Sequence, residues 1–459
     1  MFSEVIGTPR LDTTEFNSRL GYPLPSSWEA KRFGVVARTR SKRGAAHHEL
    51  LSVYLGRGVI PYSEGGKRVH APSLDLSLYQ EVRPGDLVMN NQQAWRGSVG
   101  TSTLEGIVSP AYLVYELAAD IDPGYARHLF QTPSMVDQYV RASKGVGDIQ
   151  RTLFEPYLKS ATVPVPPKDE QSAIVKYLGH AHARIDRAIA AKRRLIALLG
   201  EQRQAVIHQA VTRGLDPSVP LKDSGVPWLG EIPTHWELAP TRAALRLVKS
   251  VVGESHVEQV LLSLTLGGVI VRDLTTLKGK FAVDQSTYQF VKPGQFVFCL
   301  FDVDETPRTI GLSRVGGMIT GAYRVFECSE ELADFVELYF LAMDARKSFR
   351  PLYTGLRKTI PVGQLLQSKM PFPPSQERDR IVAAVRDQNR ECDELIARHT
   401  REVELIREFR ARLTSDVVTG QVDVRKVAAT LPELTDQPLF SPDEEFDLAN
   451  VDENEDSDA

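Results

Sequence analysis

The sequence is poor in cysteine and in long apolar runs. Its 459 residues include three cysteines, Cys299, Cys328 and Cys392, and this wide spacing is not that of a disulfide framework or a zinc cluster. The longest apolar stretches, such as FVFCLF at 296–301, are far shorter than a membrane span. Residues 1–20 are polar and include acids, which is not typical of a signal peptide. We therefore expect a cytoplasmic protein with no membrane segment.

Several motifs of catalysis are also missing. GVGDIQ at 145–150 lacks the Gly-Lys-Ser/Thr ending of a phosphate-binding loop, and there is no Gly-rich dinucleotide fingerprint. PFPP at 371–374 is not the Asn/Asp-Pro-Pro-aromatic tetrapeptide of amino-methyltransferases. His180 and His182 are two positions apart and would not share a helix face, which favours solvent exposure over metal binding. Cys392 lies in a helical pattern and is expected to be a small buried hydrophobe. The chain is therefore expected to be non-catalytic and to bind no metal.

Charge is divided unevenly along the chain. Residues 426–459 contain one lysine and eleven acids, a net charge of −10. Because the whole chain carries −4, the first 425 residues carry +6. Dense charge of one sign with few apolar residues predicts a disordered tail. The mildly basic body is compatible with a nucleic-acid partner.

The dominant pattern is an internal repeat. PVPPKDEQ at 164–171 returns as PFPPSQER at 371–378, an offset of 207 that stays constant through the segment that follows. Upstream the offset changes: PSSWE at 25–29 returns after 208 residues, VRPGDLV at 82–88 after 209, and GIVSPAYLVYEL at 106–117 after 211. Each half therefore contains a variable module followed by a rigid one.

The rigid modules have the pattern of long amphipathic helices. Apolar residues recur at spacings of three and four with charged residues between them, which is typical of a coiled-coil seam. Pro167 and Pro374 suit the first helical position, and Glu170 and Glu377 suit the positive end of the helix dipole. The residues predicted to pair the helices or to contact other subunits are Ile174, Leu178, Ile185, Leu195, Leu199, Ile381, Val385, Leu395, Ile406 and Phe409.

The variable modules have short strand patterns between turn signals. Val-Arg-Pro-Gly (82–85) and Val-Lys-Pro-Gly (291–294) predict type II turns. The predicted fold is α+β, with two similar domains that are each followed by a long helix, the two helices pairing as an antiparallel coiled coil about a pseudo-twofold axis. The predicted segments are an N-terminal extension (1–19), a first domain (20–163), a first long helix (164–216), a second domain (217–370), a second long helix (371–425) and an acidic disordered tail (426–459).

This arrangement resembles the specificity subunit of type I restriction-modification systems. GIVSPAYLVYE, VPVPPKDEQSAIVKYL and GVPWLGEIPTHWEL (225–238) are similar to that family's domain and helix-entry motifs. The resemblance covers residues 20–425; the entry motif YPLPSSWEAKRFG is abbreviated, and the acidic tail lies outside the family pattern. In that family each variable domain, called a target-recognition domain, recognises one half of a split DNA target. The paired helices hold the domains apart and bind methyltransferase subunits.

The resemblance implies a DNA sequence-recognition subunit with double-stranded DNA as a partner. It also implies two methyltransferase (modification) subunits and restriction/translocase subunits in the complex. S-adenosylmethionine, ATP and Mg²⁺ would be bound by those partners, and no cofactor by this chain. A coiled-coil scaffold or regulator that does not read DNA sequence is the alternative. A self-sufficient restriction-methylation enzyme would need catalytic domains for which the chain has no room.

Helix length agrees with this role. A helix over 168–212 would span roughly 67 Å at 1.5 Å per residue, more than one DNA turn of about 34–36 Å. Two different DNA-binding domains held apart by the paired helices would recognise an asymmetric, bipartite DNA sequence. Lys and Arg would contact phosphates, and Arg, Lys, Gln and Asn would contact base edges. The candidate DNA-binding residues are Arg38, Arg40, Lys42, Arg43, Gln92, Gln93, Arg96, Lys144 and Arg151 in the first domain, and Arg308, Arg314, Arg357 and Lys358 in the second.

Overall fold

The chain divides into two units, each built from a globular domain and parts of two long helices. The computed structural model describes residues 7–43, 47–65, 73, 75–146, 150–253, 259–272 and 287–433. Unit 1 comprises Met1–Ala191 and Glu402–Leu439, and unit 2 comprises Lys192–Arg401 and Phe440–Ala459. The first long helix is Lys168–Arg213 and the second is Ser375–Val418. Because the units divide at 191/192 and at 401/402, each long helix contributes residues to both.

Unit 1 is an α+β domain whose strands pair antiparallel. Its central sheet has the strand order Val99–Thr101, Leu87–Asn90, Tyr112–Leu117 and Ala37–Thr39. The remaining strands are Thr8–Pro9, Thr13–Asn17, Tyr22–Pro25, Glu29–Arg32, Leu51–Tyr54, Gly58–Pro61, Gln80–Val82, Gly106–Val108, Ser143–Val146, Gln150–Leu153, Thr162–Val165 and Val422–Asp423. Its shorter α-helices are Phe33–Val36, Pro123–Leu129, Pro133–Arg141, Glu155–Lys159 and Arg425–Thr430.

Unit 2 has the same arrangement. Its central sheet has the strand order Ile310–Leu312, Phe296–Phe298, Arg324–Glu327 and Arg246–Val248. The other strands are Leu221–Asp223, Glu231–Pro233, Glu237–Pro240, Leu262–Thr265, Gly268–Val271, Gln289–Val291, Gly317–Ile319 and Lys369–Phe372, and the shorter α-helices are Glu330–Ala345 and Val362–Gln367. Where unit 1 has two short helices, the second opened by Pro133, unit 2 has the single helix Glu330–Ala345.

The repeat seen in the sequence is a repeat of hydrogen-bonded structure. In unit 1, Glu29–Arg32 pairs with Thr162–Val165, the strand that leads to the first long helix. In unit 2, Glu237–Pro240 pairs in the same register with Lys369–Phe372, which leads to the second. Both predicted Pro-Gly turns have glycine in the left-handed region, at φ +92° for Gly85 and +84° for Gly294. The two domains are therefore copies of one fold, as the sequence predicted.

In unit 1 the two long helices run antiparallel. His182 Nε2 lies 2.9 Å from Thr414 Oγ1, and one turn further along Arg410 Nη1 donates to Asp186 Oδ1 at 2.7 Å. Residues of the first helix, among them Ile174, Leu178 and Ile185, share one apolar core with Val403, Leu413, Val417 and Val418 of the second, and Ile406 and Phe409 pack against that core. Burial of apolar side chains from both helices is what pairs them.

In unit 2 the two long helices pair in the same way, but here the first half of the second helix packs against the second half of the first helix. Arg203 Nη1 donates to Asp393 Oδ1 at 2.6 Å, and Lys192 Nζ lies 3.3 Å from His399 Nδ1. Adding the offset of 207 to Asp186 and Arg203 gives Asp393 and Arg410, so the same ion pair occurs once in each unit. Ile381 and Val385 of the second helix share a core with Ile207, Ala210 and Val211 of the first. The internal repeat of the sequence therefore places one such ion pair at the equivalent position of each unit.

Two of the predicted seam residues do not lie on the seam. Leu195 and Leu395 are 38% and 41% exposed, and Leu199 is half-buried, whereas Ile174 and Leu178 are 1% and 0% exposed. An ideal helix drifts by about 20° per heptad relative to a strict seven-residue repeat. Over the three heptads from Ile174 to Leu195 the drift is about 60°, which turns Leu195 away from the buried face. Cys392 is buried, as predicted.

The segments predicted at the two ends of the chain differ from the structure. Residues 8–17 are not a separate extension: Thr8–Pro9 pairs with Val422–Asp423, and Thr13–Asn17 pairs with Tyr22–Pro25. The tail predicted to be disordered from 426 instead begins with the helix Arg425–Thr430, whose Ala428 is 3% exposed within the core of unit 1. Apolar residues at 427, 428 and 431 explain this helix, and the acidic part of the tail, 434–459, lies outside the described residues.

Candidate nucleic-acid interface

In unit 1, a short turn after the central strand Leu87–Asn90 carries a surface tryptophan. The turn is the 3-10 helix Ala94–Arg96, closed by Gly97 at φ +96°. Trp95 Nε1 donates to the carbonyl oxygen of Gln92 at 2.9 Å, which fixes the indole against its own turn. The Leu153 amide donates to the carbonyl oxygen of Asn91 at 3.1 Å and ties the turn to the strand Gln150–Leu153.

Cations gather on the aromatic rings of this region. The guanidinium carbons of Arg96 and Arg151 lie 4.6 and 5.3 Å from the Trp95 ring centroid. Lys144 Nζ lies 3.6 Å from the Phe154 centroid and 5.0 Å from that of Tyr157. Cation–π contacts of this kind are worth about 0.5–1 kcal/mol each at exposed sites, and they hold these long side chains against the rings. We call Gln92, Trp95, Arg96, Lys144, Arg151 and Phe154 the Trp95 cluster.

The second group of candidate DNA-binding residues in unit 1 lies in RTRSKRG at 38–44. Its basic side chains differ in whether they pair with acidic residues. Arg40 is half-buried and pairs with Asp86 at 3.0 Å and with Glu116 at 3.4 Å. Lys42 pairs with Glu81 at 3.0 Å, and the hydrogen bonds of Lys42 and Arg83 lower the pKa of Glu81. Arg38 and Arg43 are exposed and have no ion pair within the described residues. Arg38 and Arg43 therefore keep the charge that DNA contact needs, whereas Arg40 and Lys42 are already paired with acids.

The two predicted glutamines of unit 1 lie in the Trp95 turn. Gln92 is exposed and Gln93 is half-buried.

Unit 2 has a corresponding turn with different chemistry. The Ile360 amide donates to the carbonyl oxygen of Leu300 at 2.9 Å, the counterpart of the Leu153–Asn91 bond. Here Phe301 stacks on Tyr323 with ring centroids 6.0 Å apart, and the guanidinium carbon of Arg357 lies 5.4 Å from the Phe301 centroid. Aromatic rings and a cation therefore recur at the equivalent place. We call Phe301, Asp302, Asp304, Arg350, Arg357 and Lys358 the Phe301 cluster.

Carboxylates accompany every cation of the Phe301 cluster. Arg357 bonds Asp302 through two nitrogens, one of them Nε at 3.2 Å. Asp304 accepts from Lys358 Nζ and from Arg350 Nε, both at 2.9 Å. These hydrogen bonds lower the pKa of both carboxyl groups, so they stay ionised at neutral pH. The surface of unit 2 at this turn thus carries carboxylates as well as cations.

The other two predicted arginines of unit 2 have structural contacts. Arg308 donates through Nε to the carbonyl oxygen of Ile310 and through Nη1 to that of Leu266, both at 2.8 Å. Burial lowers its pKa, and its side chain is 19% exposed. Arg314 bonds Asp334 and Glu337 at 3.4 and 3.3 Å. Arg308 is a weak candidate for base contact because its donors already hold the backbone, while Arg314 remains exposed.

The sequence-based search missed the aromatic residues of both clusters. Trp95, Phe154 and Phe301 are not among the predicted residues, because the prediction rests on charged and amide side chains. The usable signal was the interleaving of an aromatic residue with cations, as in QQAWRG (92–97). The predicted solvent exposure of His182 is wrong: its side chain is half-buried, and its ring lies 5.2 Å from that of His128. Across the residues that the structure describes, there is no group of three or more His, Cys, Asp or Glu side chains suited to a metal ion, and no helix is long and apolar enough to span a membrane.

Comparison with known proteins gives the fold. No protein-family model matches the chain. One similar chain comes from a structure on the "structural basis underlying complex assembly and conformational transition of the type I R-M system". It aligns with a TM-score of 0.59 and 14% sequence identity, over 87% of this chain and 100% of that one. The HsdS subunit from Thermoanaerobacter tengcongensis aligns at TM-score 0.47 and 14% identity, over 87% and 99% of the two chains. The type I restriction-modification S subunit from M. genitalium aligns at 0.31 and 12%, over 93% and 100%. The chain thus shares the fold of a type I restriction-modification component, over that component's whole length.

Proposed function

We propose that the chain is the DNA sequence-recognition (specificity) subunit of a type I restriction-modification complex. It binds an asymmetric, bipartite DNA target with one globular domain on each half-site. It is not itself an enzyme, and it directs methyltransferase and restriction subunits to the target in the cytoplasm. S-adenosylmethionine, ATP and Mg²⁺ bind to those subunits.

One observation supports this proposal: the equivalent turn of the two units bears different side chains. The Trp95 cluster presents Arg96, Lys144 and Arg151 on aromatic rings. The Phe301 cluster presents Arg357 together with Asp302. Arginine and lysine donate to guanine, whereas a carboxylate accepts from cytosine N4. Two copies of one domain with unlike chemistry at an equivalent place suit the reading of two unlike half-sites.

The surface of the long helices supports two copies of one partner. Leu198 and Leu405 occupy equivalent positions at the offset of 207, and both are 48% exposed. Leu198 belongs to unit 2 and Leu405 to unit 1, so each unit presents the same apolar side chain on its helix pair. Exposed large apolar groups at matched positions suit two identical methyltransferase subunits, one for each unit.

The test is a map of methylated sites in cells that carry this chain and its methyltransferase partner. Arg96→Ala and Arg151→Ala should relax or change one half-site and leave the other intact. Arg357→Ala should do the reverse, so each variant is the control for the other. A lost base contact is expected to cost about 1–3 kcal/mol of discrimination.

Three results would contradict the proposal. If the methylated motif does not depend on this chain, the chain does not read sequence. If the chain binds DNA without any sequence preference, the scaffold or regulator alternative is correct. A change of both half-sites by Arg96→Ala alone would show that the two domains do not read independently.

A further inference from the structure

Unit 1 contains a basic surface pocket apart from the Trp95 turn. It has a volume of about 480 Å³ and lies where the turn after Thr13–Asn17 meets the helices Pro133–Arg141 and Glu155–Lys159. Its charged lining residues are Arg19, Arg32 and Arg141. Among the described residues that line it, none is acidic. We call it the arginine pocket.

The three guanidinium groups are only weakly compensated. Arg19 and Arg32 are exposed and have no ion pair within the described part of the chain. Arg141 lies 4.0 Å from Asp137, and both side chains are well exposed, which makes this contact weak. The buried Gln138 in the lining cannot offset the charge, because its amide is bonded to the backbone of Thr162. Three like charges in one concave site repel one another and focus a positive potential.

The fold does not require this pocket, because unit 2 fills the corresponding place. The turn that ends in Leu20–Gly21 is closed by amides donating to the Asn17 carbonyl oxygen, and the turn that ends in Leu229–Gly230 is closed in the same way on Val226. In this match Trp228 stands where unit 1 has Arg19. Trp228 Nε1 donates to Tyr339 Oη at 3.3 Å, and its ring lies 5.7 Å from that of Phe349. Arg32, paired with Thr162, likewise corresponds to Pro240, paired with Lys369.

We infer that the arginine pocket binds a phosphate group. Arginine forks match phosphate oxygens in geometry and charge, and several of them around one concave site suit a phosphate better than a carboxylate side chain. Tyr157 lines the pocket and also lies 5.0 Å from Lys144 Nζ of the Trp95 cluster. The pocket is therefore next to the proposed reading surface, and its phosphate is a backbone phosphate beside the half-site of unit 1. The assignment of this phosphate to the DNA backbone rests on the proposed function, whereas the inference that the pocket binds a phosphate group does not.

The test uses the purified full-length chain and three variants. Arg32→Ala/Arg141→Ala removes two of the guanidinium groups. Arg19→Trp reproduces the residue of unit 2 and fills the pocket. Arg412→Ala is the matched control, since Arg412 is an 84% exposed arginine on the second long helix of the same unit. Binding to a duplex of about 30 base pairs is measured over a range of sodium chloride concentrations, and the unfolding temperature is measured with inorganic phosphate against chloride at equal ionic strength.

Loss of one phosphate contact should lower the slope of log affinity against log salt by about 0.9, which is about fivefold in affinity near 0.15 M salt. Both pocket variants should show this loss, and Arg412→Ala should not. If duplex binding is unaffected but phosphate stabilises only the chain with an intact pocket, the pocket takes free phosphate. If the wild-type chain binds no duplex while phosphate still stabilises it through these arginines, the proposed function fails and the pocket assignment stands. If neither duplex nor phosphate distinguishes the variants from wild type, the assignment is overturned.

Discussion

Removal of Arg10 should destabilise unit 1 far more than its place near the N-terminus suggests. Arg10 and Glu170 form an ion pair with side chains 1% and 4% exposed, and a second bond joins Arg10 Nη2 to Glu170 Oε2 at 3.3 Å. Arg10 also lies 5.8 Å from the Trp28 ring centroid, and its amide donates to the carbonyl oxygen of Gln421. This one side chain therefore ties the N-terminal segment to the start of the first long helix.

The magnitude follows from the charge that is left behind. Arg10→Met leaves the Glu170 carboxylate buried without its partner, which typically costs about 3–5 kcal/mol. The double variant Arg10→Met/Glu170→Leu removes both charges and should return to within about 1 kcal/mol of wild type, because a buried ion pair adds little net stability over apolar groups. In unit 2, Glu377 is the counterpart of Glu170 and contacts His235, the counterpart of Ser27. The His235 and Glu377 side chains are 41% and 18% exposed. Since water screens this contact, His235→Ala should cost no more than about 1 kcal/mol.

Hydrogen exchange measured by mass spectrometry can assign the effect to unit 1. A loss of about 3 kcal/mol should accelerate exchange more than 100-fold in peptides of unit 1 that exchange through its opening, while peptides of unit 2 stay unchanged. If Arg10→Met and the double variant exchange at the same rate, the cost does not come from an unpaired buried carboxylate, and the reasoning is refuted.

Two further predictions concern unit 1. Ending the chain after Glu433 should preserve the unfolding temperature. Ending it after Val424 removes Val427, Ala428 and Leu431 from the core and should lower the free energy of unfolding by roughly 2–5 kcal/mol. Equal unfolding temperatures for the two truncated chains would contradict this prediction. Burial, with nearby arginines, lowers the pKa of His128 to about 4 and that of His182 to about 3. Because the unfolded chain takes up protons near pH 6.5 and the folded chain does not, stability should fall by about 2 kcal/mol per histidine between pH 7 and pH 5. Denaturant titrations at both values should show a smaller fall for His182→Gln than for wild type, and the same fall for the control His180→Gln.

The repeat made much of the fold predictable from the sequence. The offset of 207 is constant through the segments that form the two long helices, and it changes through the two domains. The ladders of Glu29–Arg32 and Glu237–Pro240 and the ion pairs Asp186–Arg410 and Arg203–Asp393 lie at equivalent positions for the same reason. Such features depend on local periodicity and on self-similarity, which one sequence contains.

Contacts between distant segments could not be predicted in this way. Arg10 and Glu170 are 160 positions apart, and no local pattern indicates that they meet. The exposure of Leu195 and Leu395 depends on how far each helix has turned relative to its partner, which spacing alone does not fix over many heptads. Whether a candidate cation is available also depends on its neighbours. Arg308 and Arg151 are equivalent candidates in the sequence. In the structure Arg308 donates to backbone carbonyl oxygens, whereas Arg151 lies over the indole ring of Trp95.

The way the long helices are shared between the units sets an order for folding during synthesis. Unit 2 draws its described residues from one continuous stretch, 192–401, and its core can close as soon as that stretch has left the ribosome. Unit 1 holds the earlier part of the chain, but its core includes Val403, Leu413, Val417 and Ala428. The first domain to be translated is therefore the last to be completed. Until the final helix arrives, the apolar face of the first long helix in unit 1 stays uncovered, and this interval is when the nascent protein is most exposed to aggregation.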